Sequence, residues 1–137
     1  MTEEEGRAFV ARYHRGVLAT IKRDGRPQLS NISYALDEAD GLIKISTARP
    51  RAKVLNVRRD PRVSMSVQGD TWQQYLVVEG IAELHEDDPI PALRHLYELI
   101  RSAPHPNWAE FDEAMRRDQR LILAIRIERM YPLSRER

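Results

Sequence analysis

The hydrophobic pattern of this chain starts with helical spacing and changes to strand spacing before residue 20. Thr2 and Glu5 have the spacing of a capping box, which predicts a helix near the start of the sequence. Gly16 is expected to end this helix. The apolar stripe of the helix consists of Phe9, Val10 and Tyr13. The region that follows is therefore interpreted as strands and turns.

Three strands are predicted after this helix. Residues 17–22 form the first, and the Asp24–Gly25 pair behind it is a strong signal for a two-residue hairpin turn. Residues 28–36 form the returning strand, which carries an unusual number of polar side chains. A further turn leads to a third strand at residues 42–47. The three strands are expected to form a meander.

Three further strands are predicted in the second half of the chain. Residues 63–67 alternate between apolar side chains and serine, which indicates a half-buried strand. Residues 75–84 form the longest predicted strand, and Gly80 within it indicates a bulge or a bend. Residues 121–127 are rich in Ile and Leu and form the last strand.

Two helices are predicted between the last two strands. Asp88 is expected to cap the first of them, with Pro89 at its first helical position. Asn107 and Glu110 form a capping pair for the second. Both helices have an apolar face, so both are expected to pack on the sheet.

About six largely antiparallel strands with two late helices predict a mainly β fold with helices, in the form of a small barrel that closes its own edges. A ferredoxin-like sandwich is the alternative, but the chain lacks the alternation of strands and helices that it needs. With no repeat and no linker in the sequence, residues 1–137 are expected to form a single domain.

Composition narrows the classes of function. Cysteine is absent, which excludes disulfides, thiolate metal sites and cysteine nucleophiles. No apolar run approaches the roughly 18 residues of a membrane helix, and no signal-peptide pattern opens the chain, so a cytoplasmic protein without a membrane partner is expected. The net charge is only +1, which argues against a nucleic-acid partner.

The segment of residues 46–61 has the composition of an anion site. A predicted strand delivers the hydroxyls of Ser46 and Thr47, and a helix started by Pro50 then presents Arg51 and Lys53 in its first turn. Free amides, the helix dipole and two cations at one helix start all favour a bound anion. The alternative interpretation is a helix with a solvated basic face.

No residue pattern predicts a catalytic side chain or a metal site. The four histidines show no metal-ligand spacing, and no nucleophile elbow or glycine-rich phosphate loop is present. An enzyme with this sequence would leave the hard chemistry to a cofactor, and hydride transfer fits best. In that interpretation the polar strand with Gln28, Ser30 and Asn31 hydrogen-bonds the ring system, while Arg51 and Lys53 hold its anionic tail.

Three segments together resemble a known family. They are residues 16–31, the Arg51-Ala52-Lys53 run with Asn56, and residues 59–62. This combination resembles the flavin/deazaflavin oxidoreductases, relatives of pyridoxamine 5'-phosphate oxidase with an FMN-binding split β-barrel, and it is similar to the actinobacterial branch that binds coenzyme F420. Further residues that continue the likeness are His105, Trp108, Ala114, Met115, Asp118, Arg120 and Tyr131.

The resemblance implies a homodimer with two cofactor sites at its interface. It places Gln28, Ser30 and Asn31 beside the ring system. It assigns the phosphate and the acidic tail to four residues: Ser46, Thr47, Arg51 and Lys53. It implies that Tyr75 and Trp72 come from the partner subunit.

The expected function is an F420-dependent oxidoreductase that transfers hydride to a small unsaturated substrate. Two alternatives stay open. One is an FMN-binding flavoprotein of the same fold, whose phosphate would use the same Arg51 and Lys53. The other is a non-catalytic F420 carrier or binding protein. The basic run that continues through Arg58 and Arg59 favours a cofactor with an extended polyanionic tail.

Overall fold

Seven antiparallel strands form one curled sheet. In chain order, one helix precedes the first strand, one lies between the fourth and fifth strands, and two lie between the sixth and seventh. The structure is a computed structural model that describes residues 1–133. The strands are β1 Arg15–Ile21, β2 Pro27–Ser33, β3 Ala35–Asp37, β4 Leu42–Ala48, β5 Arg62–Gln68, β6 Tyr75–His85 and β7 Arg120–Tyr131. The helices are α1 Glu3–Arg12, α2 Ala52–Arg59, α3 Ile90–Arg101 and α4 Trp108–Arg117. Of the helices within residues 1–133, none has the length and apolar character needed to cross a membrane.

The predicted strand at residues 28–36 is two strands at opposite ends of the sheet. The sheet order is β2-β1-β5-β6-β7-β4-β3, so β2 and β3 are its two outer strands. Only Tyr34 separates them in sequence. β4 pairs with β3 and β7, and β2 pairs with β1, so the predicted three-strand meander is wrong.

The sheet therefore curls until its two edges meet at Tyr34. No ladder joins β2 to β3 or to β4 among the described residues, so the edges are linked by the chain itself and not by strand pairing. This is the split β-barrel expected from the family resemblance, and that prediction is confirmed. The gap between β2 and β4 is the opening of the barrel.

The strand β7 is buried on both of its faces. Leu123 and Ile125 face the interior of the curl, whereas Ile122 and Ala124 face the helices α3 and α4. A strand covered on both sides reads as a continuous apolar run, which is why the sequence pattern identified it. The two-sided burial also gives the molecule two hydrophobic cores that share one strand.

Local signals at two of the predicted helix caps are confirmed. The Glu5 amide donates to the Thr2 hydroxyl at 3.2 Å and the Thr2 amide to the Glu5 carboxylate at 3.0 Å, which completes the capping box. The Glu110 amide donates to the Asn107 side chain at 3.1 Å. The β1–β2 hairpin forms where it was predicted, but its loop has three residues, 23–25, and not the predicted two, because the Lys22 amide donates to the Arg26 carbonyl at 2.9 Å. Gly25, with a φ of +88°, is the left-handed residue of this loop.

Two glycines lie where strands approach each other too closely for a side chain. A Cβ at Gly80 would lie 2.3 Å from the Arg126 carbonyl oxygen, and the register of β6 against β7 shifts between Glu79 and Gly80, so the predicted bulge is confirmed. Gly16 does not end the first helix, which stops at Arg12. It lies in β1, where a Cβ would be 2.3 Å from the Ser66 carbonyl oxygen of β5.

Helix α3 starts one residue later than predicted and is held to the sheet by a charged cluster. Its N-cap is Pro89 and not Asp88. The Asp37 carboxylate on β3 accepts a hydrogen bond from the Lys44 ammonium at 2.9 Å and lies 3.2 Å from Nε2 of His95 on α3. This cluster fixes the position of a helix that forms one wall of the cleft described below.

Candidate functional site

A cleft of about 600 Å³ lies at the opening of the barrel, between β2, β4 and the helices α3 and α4. Its volume is in the range of small-molecule sites. Ser30 and Asn31 of β2 line one side, and Ser46 and Thr47 at the end of β4 line another. The free edge of β2 and the end of β4, beyond its pairing with β3, therefore face a space that a ligand can occupy.

Helix α2 brings two predicted cations to this cleft. The helix begins at Ala52, so Arg51 is its N-cap and does not lie in the first turn as predicted. Pro50, the predicted first residue of the helix, lies one position before the N-cap. Arg51 has an extended backbone and makes no side-chain capping bond. Lys53 lies in the first turn, as predicted, and both side chains line the cleft.

A third cation, Arg120 at the start of β7, lines the same part of the cleft. Burial lowers the pKa of the Lys53 ammonium, and the positive charges of Arg51 and Arg120 lower it further. No carboxylate pairs with any of these three groups among residues 1–133. We call Arg51, Lys53 and Arg120 the cationic end of the cleft. Three mutually repelling cations at one place favour an anionic ligand.

Other cations of the same segment are already paired with carboxylates. Arg49 lies 3.6 Å from Glu86, Arg58 holds Glu86 with two hydrogen bonds, and Arg62 lies 2.7 Å from Asp60. None of these arginines lines the cleft. The interpretation of this segment as a solvated basic face therefore fits Arg49, Arg58 and Arg62, and the anion site is confined to the cationic end.

Sequence reasoning did not select Arg120 as a site residue. Arg120 lies opposite Ala48 in the pairing of β4 with β7. It is on the same face of β7 as Ile122 and Ala124, which pack against α3 and α4. The signal in the sequence was a charged residue at the end of this row of apolar side chains. What it indicates depends on the pairing of β7 with β4, about 70 residues away in sequence, so the neighbouring residues alone did not reveal it.

The opposite wall of the cleft is apolar and comes from α3 and α4. Its lining residues are Leu93, Leu96, Tyr97, Ile100, Phe111 and Met115. Behind this wall, the rings of Tyr97, His105 and Trp108 contact one another at centroid distances of 5.0 to 5.9 Å. The wall combines large apolar side chains with an aromatic support, a suitable surface for a flat ring system.

Gln28 lies beside the cleft and not in it. Its side-chain oxygen accepts a hydrogen bond from the Thr20 hydroxyl at 3.1 Å, and Thr20 accepts one from the Asn56 amide of α2, also at 3.1 Å. Arg59 donates to the Asn56 oxygen at 3.0 Å and to the Ile21 carbonyl at 2.9 Å. This buried polar chain ties α2 to β1 and β2, so it positions both cations of α2 relative to the polar strand.

Trp72 and Tyr75 lie outside the cleft. Trp72, in the loop between β5 and β6, is 85% exposed, and Tyr75 at the start of β6 is 47% exposed. Tyr75 borders a separate groove with Phe9 of α1 and Tyr13, the C-cap of that helix. Within one subunit, therefore, the structure brings together six of the predicted site residues and leaves these two aromatic residues and Gln28 outside.

No metal site was predicted, and within residues 1–133 no group of three or more His, Asp or Glu residues is placed to hold a metal ion. His85 lies 3.0 Å from Glu83, and His105 accepts a hydrogen bond from the Asn107 amide at 2.9 Å. Both histidines have partners with a structural role. The chemistry that this cleft supports is therefore binding and orientation of a ligand with an anionic end and a flat, less polar part.

The chain is similar to known proteins in both sequence and fold. A family model described as pyridoxamine 5'-phosphate oxidase matches residues 2–134. F420H(2)-dependent biliverdin reductase of Mycobacterium tuberculosis is 23% identical over 129 residues, which cover 93% of this chain and 85% of that protein. The chain belongs to the pyridoxamine 5'-phosphate oxidase family.

Two solved structures show the same architecture. The crystal structure of a conserved hypothetical protein of Mycobacterium tuberculosis is 31% identical, with a TM-score of 0.74, and covers 95% of this chain and 82% of its own. The structure of an F420 reductase is 25% identical, with a TM-score of 0.67, and covers 90% of this chain and 94% of its own. The resemblance stated from sequence motifs alone is thus confirmed at the level of the family.

Proposed function

We propose that this protein binds coenzyme F420 in the cleft and serves as an oxidoreductase for a small unsaturated substrate. The observation that carries the proposal is the cationic end, where three cations without carboxylate partners among residues 1–133 adjoin an apolar wall. Two relatives that are named for F420 support the choice of cofactor. When bound, the cofactor supplies the hydride.

The residues of the cleft fit such a cofactor. Arg51 and Lys53 carry the charge that a phosphate needs, and the hydroxyls of Ser46 and Thr47 lie within the same cleft. Ser30 and Asn31 of β2 are the polar groups available to the ring system. The apolar wall formed by α3 and α4 would exclude water from the ring, which would favour hydride transfer over side reactions. We assign no catalytic side chain.

The tail of the cofactor has fewer partners than the sequence indicated. Arg58 is bound to Glu86, and Arg59 is bound to Asn56 and the Ile21 carbonyl. Arg101, which lines the cleft at the end of α3, is an additional candidate. F420 has carboxylates that FMN lacks, and each charge-assisted hydrogen bond contributes about 1.5–3 kcal/mol, so F420 is expected to bind about ten- to a hundredfold more tightly.

We also propose that two subunits form a dimer in which each contributes Trp72 and Tyr75 to the cofactor site of its partner. The exposure of both aromatic side chains supports this arrangement, since aromatic residues are enriched at interfaces. It would explain why two predicted site residues lie far from the cleft of their own subunit.

An absorption and fluorescence titration with F420 and with FMN tests the choice of cofactor. Saturable binding of F420 at a tenfold or greater advantage supports the proposal, whereas stoichiometric FMN with no response to F420 would establish the flavoprotein alternative. Reoxidation of reduced F420 is then followed with unsaturated acceptors. Biliverdin is the first acceptor to test, because a relative is named for its reduction. Tight binding without turnover of any acceptor would support the carrier alternative.

A further inference from the structure

We propose that Arg120 is the third anion-binding residue of the cleft and that its guanidinium binds the phosphate of the ligand. This inference rests on the proposed function, since it requires an anion at the cationic end. It assigns a role to a residue that neither motif spacing nor helix position selected.

The first argument is an unsatisfied buried donor. The Nε atom of Arg120 is buried and has no hydrogen-bond partner among residues 1–133. Nη1 is directed at the Ser46 carbonyl at a long 3.4 Å. Leaving a buried donor without a partner is unfavourable, and more so when the group is charged. An anion bound in the cleft would offset part of this cost by interacting with the positive charge of the guanidinium.

Two other arginines show what the Nε–Nη2 edge of the guanidinium does when an acceptor is present. Arg94 uses Nε and Nη2 together to bind the carboxylate of Asp112. Arg62 uses the same two atoms to bind Asp60, at 3.0 and 2.7 Å. Arg120 lines the cleft, and no carboxylate within residues 1–133 binds the same edge of its guanidinium. Phosphate presents the same pair of oxygens as a carboxylate.

The position of Arg120 in the sheet explains why it stays available. Its cross-strand neighbour is Ala48, whose small side chain takes little of the space beside it. The residues that follow on its face of β7, Ile122 and Ala124, are fully buried against the helices. These neighbours offer no hydrogen-bond acceptor from their side chains. The guanidinium is therefore held at the border of the apolar core and the cleft.

Lys53 provides a local reporter of the charge at this place. The chain contains only three lysines: Lys22, Lys44 and Lys53. Arg120 is one of the charges that lower the pKa of Lys53. Removal of the Arg120 charge should therefore raise the pKa of Lys53, and so should binding of an anion between the two groups.

The test uses protein labelled with 13C at the Cε atoms of lysine and titrated with inorganic phosphate, which needs no cofactor. In the wild type, phosphate should shift the Lys53 signal saturably and raise its pKa, with Lys22 and Lys44 as internal controls. Arg120→Met should weaken phosphate binding at least tenfold and raise the Lys53 pKa in the phosphate-free protein. Arg120→Lys keeps the charge without the planar edge and should give an intermediate affinity.

Arg126→Met is the matched control, because Arg126 is an exposed residue of the same strand and does not line the cleft. It should bind phosphate as the wild type does. Unchanged phosphate affinity in Arg120→Met, at an unchanged melting temperature, would overturn the inference, and so would a wild type that binds no phosphate. Failure of F420 to bind would instead overturn the proposed function, because the phosphate titration does not depend on it.

Discussion

The hydroxyl of Tyr34 donates a 2.8 Å hydrogen bond to the backbone carbonyl of Val10. Val10 lies in the last turn of α1, where helix carbonyls lack intrahelical donors. Tyr34 is itself fully buried, and burial raises the pKa of its hydroxyl. The Tyr34 side chain therefore supplies a hydrogen-bond donor to a carbonyl at the end of α1. It does so from the point where the two outer strands of the sheet, β2 and β3, meet.

Tyr34→Phe should lower the free energy of unfolding by about 1–3 kcal/mol, because it leaves a buried carbonyl without a donor. Urea unfolding at neutral pH measures the change. Tyr131→Phe, at an exposed tyrosine of β7, is the control and should stay within about 0.5 kcal/mol of the wild type. Equal stability of the two variants would show that the Tyr34 hydroxyl contributes nothing to stability.

Lys53→Ala should weaken binding of F420 by about 1.5–3 kcal/mol, since it removes one charge-assisted contact with the anionic part of the ligand. The fold should remain intact, because Lys53 has no carboxylate partner among the described residues and repels Arg51 and Arg120. Fluorescence titration and thermal melting measure the two effects. Lys22→Ala, on the β1–β2 hairpin, is the matched control.

A variant at Lys53 that melts several degrees lower and binds F420 unchanged would make Lys53 a structural residue. Unchanged binding together with unchanged melting would place the anion site elsewhere. The pH adds a further check. The pKa of Lys53 is lower in the folded chain, so folding disfavours its protonated form, and stability should rise as the pH passes from this lowered pKa to the unfolded value of 10.5. Lys53→Ala should lack this rise.

Asp37→Asn should destabilise the protein at neutral pH by about 1–3 kcal/mol. Burial by itself raises the pKa of Asp37, but the hydrogen bonds from Lys44 and the Ala39 amide and the charges of Lys44 and His95 outweigh it and lower the pKa below 3.8. The stabilisation is thus fully present above pH 3.8 and is lost as the pH falls through the lowered value.

The measurement is the free energy of unfolding across the acid range. Asp37→Asn should lose less stability than the wild type between neutral pH and the most acidic conditions that still allow refolding. Glu38→Gln, at the exposed neighbouring acid, is the control. Parallel acid curves for wild type and Asp37→Asn would contradict the assignment of this stabilisation to Asp37.

The protein should sediment as a dimer at micromolar concentration. Trp72→Ser should shift it toward monomer without a change in the melting temperature extrapolated to low concentration, because Trp72 is 85% exposed within one subunit. The same variant should bind F420 more weakly if the partner's loop reaches the cleft. A wild type that sediments as a monomer would exclude the dimer and the exchange of aromatic residues.

Signals confined to a few residues were sufficient to predict much of the fold. The capping box of Thr2 and Glu5, the cap at Asn107 and the bulge at Gly80 each depend on neighbours within a few positions or on one missing side chain. The strand pattern predicted a small barrel, and the family motifs then indicated its split form. Local chemistry also placed Ser46, Thr47 and Lys53, since a strand end and a helix start fix their positions.

The errors at residue 34, Gly16 and Arg120 share one cause, which is strand pairing between distant segments. Residue 34 continues the pattern of a strand, and only pairing with β1 on one side and β4 on the other divides that strand in two. Gly16 has the appearance of a helix stop until β5 lies against it. Arg120 looks like a solvated residue until its register opposite Ala48 is known.

The division of the barrel at Tyr34 also determines when the cleft can form during folding. β2 belongs to a local hairpin with β1, and β3 to a local hairpin with β4, and such short-range units close quickly. β7 must then enter between β6 and β4, which for β4 is a contact across more than 70 residues of sequence, before Arg120, α3 and α4 reach β4. The walls of the cleft are thus brought together by the slowest pairing in the molecule. Nascent chains that have not yet completed β7 cannot hold the ligand, and ligand binding should appear in the final kinetic phase of refolding.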